Sequence, residues 1–220
     1  MGSREEILAA IRRRQGRGGA TPSRAELEQQ NTYLRAHPRG PVPEVGGDLG
    51  ARLLARASAA SSTSERVATL AQAPAAVARF LEANRLPKTG CVWPRLAHLD
   101  WKAAGLELEA RAARGEHLVG VTGVYCALAE TGTLMMVSGP DTPAATSLLP
   151  ETHVALVPIG RVVPCMEDGW DLLRAEHGQL PRAVNFISGP SRTGDIDQTI
   201  VLGAHGPYRV HMILVSEPAR

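Results

Sequence analysis

Apolar residues in this chain come in short runs separated by helical stretches, and that alternation constrains the fold more than any other feature. Val154 to Pro158 and Met212 to Val215 are among the longest runs. Each suits a strand buried on both faces, because a strand with one face in water alternates in character. Strands of that kind belong to a mainly parallel sheet with helices over both faces. The predicted fold is therefore α/β, a three-layer α/β/α arrangement.

Leu49 to Ala60 is helical by composition, and Ser61 to Val67 reads as a strand. Pro74 to Arg85 is an amphipathic helix with proline near its first turn and Val77, Phe80 and Leu81 on one face. Cys91, Val92 and Trp93 form a short strand closed by Pro94. Tyr125 to Glu130 and Leu134 to Val137 flank Thr131-Gly132-Thr133, an antiparallel pair as a local exception. His153 to Pro158, Ala183 to Ile187 and Tyr208 to Val215 are further strands, while Cys165 to Arg174 and Asp195 to Leu202 are read as helices.

Ahead of this alternation stands an arm. The first forty residues carry eight arginines against four glutamates, which leaves the remaining 180 residues at −2 in a chain of net charge +2. Ser3 with Glu6, and Ser23 with Glu26, have the spacing of capping boxes opening two short helices. Arg12, Arg13 and Arg14 suit either a contact to an acidic partner or RNA, or simply a solvated helix end. Pro38 to Gly47 is rich in proline and glycine and reads as a linker. The expected division is an arm and linker over 1–47 and an α/β domain over 48–220.

Hydrophobic residues make up 44% and charged residues 21% of the chain, which excludes a mostly disordered protein. No apolar run is long enough to span a bilayer. The N-terminus, MGSREEILAAIRRR, has charges where a signal peptide needs an apolar stretch, so the expected location is cytoplasmic. Cys91, Cys126 and Cys165 lie far apart, without the paired spacing of a zinc ribbon or an iron–sulfur site. The histidines share no ligand spacing, so no metal site is expected, and a near-neutral body argues against nucleic acid.

Three segments carry the chemistry that is left. Gly189-Pro190-Ser191-Arg192-Thr193-Gly194-Asp195 stands between a strand and a predicted helix. Small hydroxyls and free N–H groups at a helix start are a recipe for holding an anion, and Arg192 could add a forked contact. Equally, Ser191 or Thr193 could only cap the helix while Arg192 pairs with Asp195 or Asp197. In Glu130-Thr131-Gly132-Thr133 the glycine permits a tight turn, and Glu130 is a base, a ligand-orienting carboxylate or a tie within the turn. His205, before Gly206, either contacts a ligand or is fixed by its loop, with Gly206 ending the helix.

Together with Ala129 and Ser147-Leu148-Leu149-Pro150, these segments resemble, in order and spacing over roughly residues 50–215, the LUD domain family of lactate utilisation proteins. Members commonly have alanine at Gly194 and glutamate at Asp197, two mild departures. The resemblance implies a fold similar to the NagB/RpiA/CoA-transferase group. It also implies an accessory or substrate-binding role in oxidising L-lactate to pyruvate, beside two partner proteins that carry iron–sulfur clusters. This chain lacks the cysteines of the cluster-bearing partner and looks like the short C type. No cofactor is expected in the chain itself, and lactate is the small carboxylate expected in its pocket. The family supplies no catalytic residue to carry over; Thr131, Gly132, Thr133, Gly189, Pro190, Ser191, Arg192, Thr193, Asp195, His205 and Gly206 are its probable pocket. The alternative, from fold analogy, is a stand-alone acyl-CoA or sugar-phosphate enzyme with Glu130 as nucleophile or base.

Overall fold

A computed structural model describes residues 3–16, 21–196 and 199–217, in two units that divide between Val42 and Pro43. The first unit holds α1 (Ser3–Arg14) and α2 (Arg24–Ala36). Ser23 and Glu26 close a reciprocal capping box at α2: the Glu26 N–H donates to Ser23 Oγ at 3.2 Å, and the Ser23 N–H donates to Glu26 Oε2 at 2.8 Å. Neither helix buries a residue, and Ile7, Ile11, Leu27 and Leu34 stay exposed.

The second unit runs α3 (Leu49–Ala59), β1 (Thr63–Val67), α4 (Ala73–Ala83), β2 (Thr89–Val92), β3 (Glu107–Ala110), β4 (Val119–Thr122), β5 (Cys126–Leu128), β6 (Thr133–Val137), α5 (Ala145–Leu148), β7 (Thr152–Pro158), β8 (Val162–Val163), α6 (Met166–Glu176), β9 (Val184–Ile187), β10 (Arg192–Ile196), β11 (Thr199–Leu202) and β12 (Arg209–Val215). Six strands make one sheet in the order β1-β12-β7-β4-β2-β3, every pair parallel. The apolar runs read from the sequence are its centre: β7 and β12 pair along seven residues and are buried almost throughout.

Alternation along β12 places helices on both faces. His211 stacks flat on Phe80 of α4, ring centroids 3.9 Å apart. Leu214, of opposite parity, lies against Gly50 of α3. Gly120 of β4 shares the α3 face with His153 and Val210, and a Cβ there would fall 2.1 Å from the Thr146 carbonyl of α5.

A second, four-stranded sheet, β8-β5-β6-β9, enlarges the antiparallel pair expected around the Thr-Gly-Thr turn. Ala127, Leu134, Met136 and Ile187 join the main core, whereas Cys126, Leu128 and Met135 meet Leu173 of α6 on the other face.

One prediction is overturned. Asp195 to Leu202, read as a helix, is instead the hairpin β10–β11, paired Arg192 to Leu202 and Thr193 to Val201. Thr193, Ile196, Thr199, Ile200 and Val201 are β-branched, stiff at χ1 and better suited to a strand. No helix N-terminus therefore follows Gly189-Pro190-Ser191, and Gly206 ends no helix.

Candidate functional site

The sequence motifs do converge, around the C-terminal end of α3. Gly132 has φ 71° in the β5–β6 turn, and a Cβ there would lie 2.4 Å from the Ala57 nitrogen. Gly189 has φ 80°, and its Cβ would lie 2.2 Å from the Ala60 carbonyl oxygen. Both positions need glycine twice over, for conformation and for space. Thr131, Thr133 and Ser188 link their hydroxyls in a chain, at 2.7 and 2.6 Å.

Ser191 ties the loop ahead of β12 to this cluster: its N–H donates to Pro207 O and its carbonyl accepts from Gly203 N–H, both at 2.9 Å. Gly206 lies beside the Ser191 Cβ, and Arg192 donates to Ser61 Oγ just past α3. Pro190 is half-buried between these contacts, and Thr193 pairs along the hairpin. Asp195 lies on β10; its side chain and residues 197–198 fall outside the described part. Glu130 is half-buried, and His205 is exposed on its loop. Neither side chain makes a hydrogen bond among the described residues. Because α3 ends where β1 begins, and Pro207 precedes β12, this cluster occupies the N-terminal edge of the parallel sheet.

The cavity suited to a ligand lies at the opposite edge. The chain leaves β2 for β3 on one side and returns to β4 on the other, so the strand order reverses between β2 and β4. Ligands of open α/β sheets bind outside the carboxyl ends of the strands at such a reversal. A cavity of about 730 Å³ sits there, walled by residues that follow β2 (Trp93, Arg95), β4 (Gly123, Tyr125), β7 and β12 (Glu217). Trp93 is buried, its indole N–H held by Pro143 O at 3.1 Å, and its ring faces Gly123. Arg95 is exposed, and its guanidinium has no ion pair or hydrogen bond among the described residues.

Beside it, Arg161 and Tyr125 donate to the two oxygens of Glu176, at 2.8 and 2.9 Å. Burial opposes ionisation of Glu176, but these donors outweigh it and its carboxyl lies below the ordinary range. Burial and the Glu176 carboxylate push the Tyr125 phenol upward, so it stays a neutral donor. Another cavity, of about 640 Å³, lies at the β3 edge, where Asp100, Glu107, Glu109 and Glu116 outnumber Lys102 in the lining. Those carboxylates repel an anion, which leaves the switch-point cavity as the better site for one.

None of Trp93, Arg95, Arg161 and Glu176 belongs to a motif. The available signal is Trp93-Pro94-Arg95, an aromatic and a cation at a strand's carboxyl end. The cysteines are buried and unpaired. Burial raises Cys91 and Cys165 to about 11 and Cys126 to about 12, so all three remain thiols at neutral pH. Among the described residues no three His, Cys, Asp or Glu side chains form a metal-binding group, and no helix is long and apolar enough to cross a membrane.

A model of the LUD domain matches residues 52–215. Lactate utilization protein C of Bacillus subtilis (strain 168) is 36% identical over 129 residues, which cover 57% of this chain and 54% of the relative. The protein of that name from Halalkalibacterium halodurans is 38% identical over 102 residues, 45% of this chain and 44% of the relative. The chain thus matches about half the length of these relatives. A crystal structure of a DUF162 family protein from Deinococcus radiodurans superposes with a TM-score of 0.57 at 20% identity, over 79% of this chain and all of that one. That likeness establishes the fold.

Proposed function

The chain belongs to the LUD domain family, and from that premise we propose that it is a cytoplasmic accessory or substrate-binding subunit of a system that oxidises L-lactate to pyruvate. Its relatives named lactate utilization protein C support the process. The observation that carries the binding role is Arg95, a guanidinium without a partner among the described residues, at the switch-point cavity. A planar fork of donors suits the carboxylate of a small hydroxy acid.

Oxidising lactate to pyruvate releases two electrons and two protons. In this reading the electrons pass to iron–sulfur clusters on two partner proteins, and this chain binds and orients. The Thr131–Thr133 and Gly189–Thr193 segments brace the sheet at its other edge.

The test is a pull-down of the tagged chain from its host grown on lactate, with the eluate assayed for iron and for lactate-dependent dye reduction. Co-elution of iron with activity, reduced at least tenfold by Arg95→Gln, is the expected result. An iron-free chain that turns over an acyl-CoA or a phosphosugar, and loses that activity in Glu130→Gln, would replace the proposal with a stand-alone enzyme.

A further inference from the structure

Lactate has six non-hydrogen atoms, far too few to fill the cavity just described. We propose that this cavity is a site for an anion of cofactor size with a large apolar body. The inference rests on the reading that the switch-point cavity is the working site, and it names a ligand which that reading does not.

Size comes first. At about 730 Å³ the cavity lies well inside the roughly 300–1,000 Å³ range that encloses cofactor-sized molecules. It borders the ends of β2, β4, β7 and β12, neighbours in the sheet, so it extends across about 14 Å at ordinary strand spacing.

The walls give the rest. Leu96, Val124, Val137 and Leu156 make them largely apolar, over the buried Trp93. A large apolar body packs there. Arg161 and Glu176 neutralise each other, and Glu217 follows β12, at the far side of the cavity from β2. Arg95, which follows β2 directly after Trp93 and Pro94, is the cation left to meet an acidic group on that ligand.

Two dyes with one ring system separate these contributions: anilinonaphthalene sulfonate carries an anion and N-phenylnaphthylamine does not. Titrated into the full chain, both brighten, the sulfonate binding about tenfold more tightly. Arg95→Gln brings the sulfonate to the affinity of the neutral dye and leaves the latter unchanged. Gly123→Phe, which puts a bulky side chain at the cavity wall, abolishes both. Arg95→Lys, at an exposed position, keeps most of the preference for the sulfonate, a check that stands if Gly123→Phe misfolds. Sulfonate binding that ignores Arg95, or that is no tighter than binding of the neutral dye, overturns the proposal. L-lactate titrated alongside separates the two readings. Lactate bound without dye removes this inference alone, and dye bound by a chain that supports no lactate oxidation removes the functional reading alone.

Discussion

The two edges of the parallel sheet are built on opposite plans. At the N-terminal edge the chain is packed backbone against backbone: Gly132 and Gly189 press on the end of α3, and hydroxyls satisfy one another. At the C-terminal edge side chains line open space, and Gly123 lies against the buried Trp93 ring. A segment rich in glycine, serine and threonine reads like a ligand cradle in sequence because a cradle and a tight packing joint ask for the same residues. What separates them is whether the space that glycine leaves is filled by the protein itself.

Glycine substitutions give the sharpest contrast. Gly132→Ala forces a Cβ into the α3 backbone at a positive φ and should lower stability by about 3 kcal/mol or more. Gly123→Ala only touches the Trp93 ring at 3.6 Å and should change it by less than about 0.5 kcal/mol. Denaturant titration of both variants checks this. A Gly132→Ala protein of normal stability that lost lactate-dependent activity would make the N-terminal edge the site.

Acid should loosen the same edge. His153 and His211 are buried toward the N-terminal ends of β7 and β12, and burial lowers each to about 4. Each shares a side-chain hydrogen bond with a threonine hydroxyl, Thr122 for His153 and Thr63 for His211. The unfolded chain takes up these protons near pH 6.5 while the folded chain refuses them. Stability is therefore full above about pH 6.5 and falls as pH drops toward 4, by up to about 3 kcal/mol per histidine. Denaturant titrations at pH 7 and pH 5 should show the drop, and His153→Gln, which cannot titrate, should remove about half of it.

A smaller effect is expected at Thr133. Replacing it with valine keeps its shape but breaks the hydroxyl chain, for a loss of about 1–2 kcal/mol. Dye binding at the opposite edge should not change, and a change there would mean that the two edges are coupled.

Much of the architecture was legible. β7, β12 and α4 announce themselves because burial on both faces, or along one stripe, leaves unmixed apolar patterns. β3 gives no such signal: Glu107-Leu108-Glu109-Ala110 lies at the sheet edge, mostly in water. β4 is hidden by Gly120, which α5 requires but which interrupts Val119-Gly120-Val121. The β10–β11 hairpin was misread because a Gly-Pro turn followed by capping residues outweighed the β-branched residues behind it. The cavity escaped altogether, since Trp93, Arg95, Tyr125, Arg161 and Glu176 meet only through long-range strand order.

The pairing of β1 with β12 has a consequence for synthesis. The first strand of the sheet and the last are neighbours, and β12 alone links β1 to β7. On the ribosome, β1 emerges early and waits unpaired while nearly all the rest of the sheet is made. The edge it is meant to join does not exist until residues 209–215 leave the exit tunnel. Any chain released before Arg209 strands β1 and exposes the buried flank of β7, so the domain closes only when translation has passed its final strand.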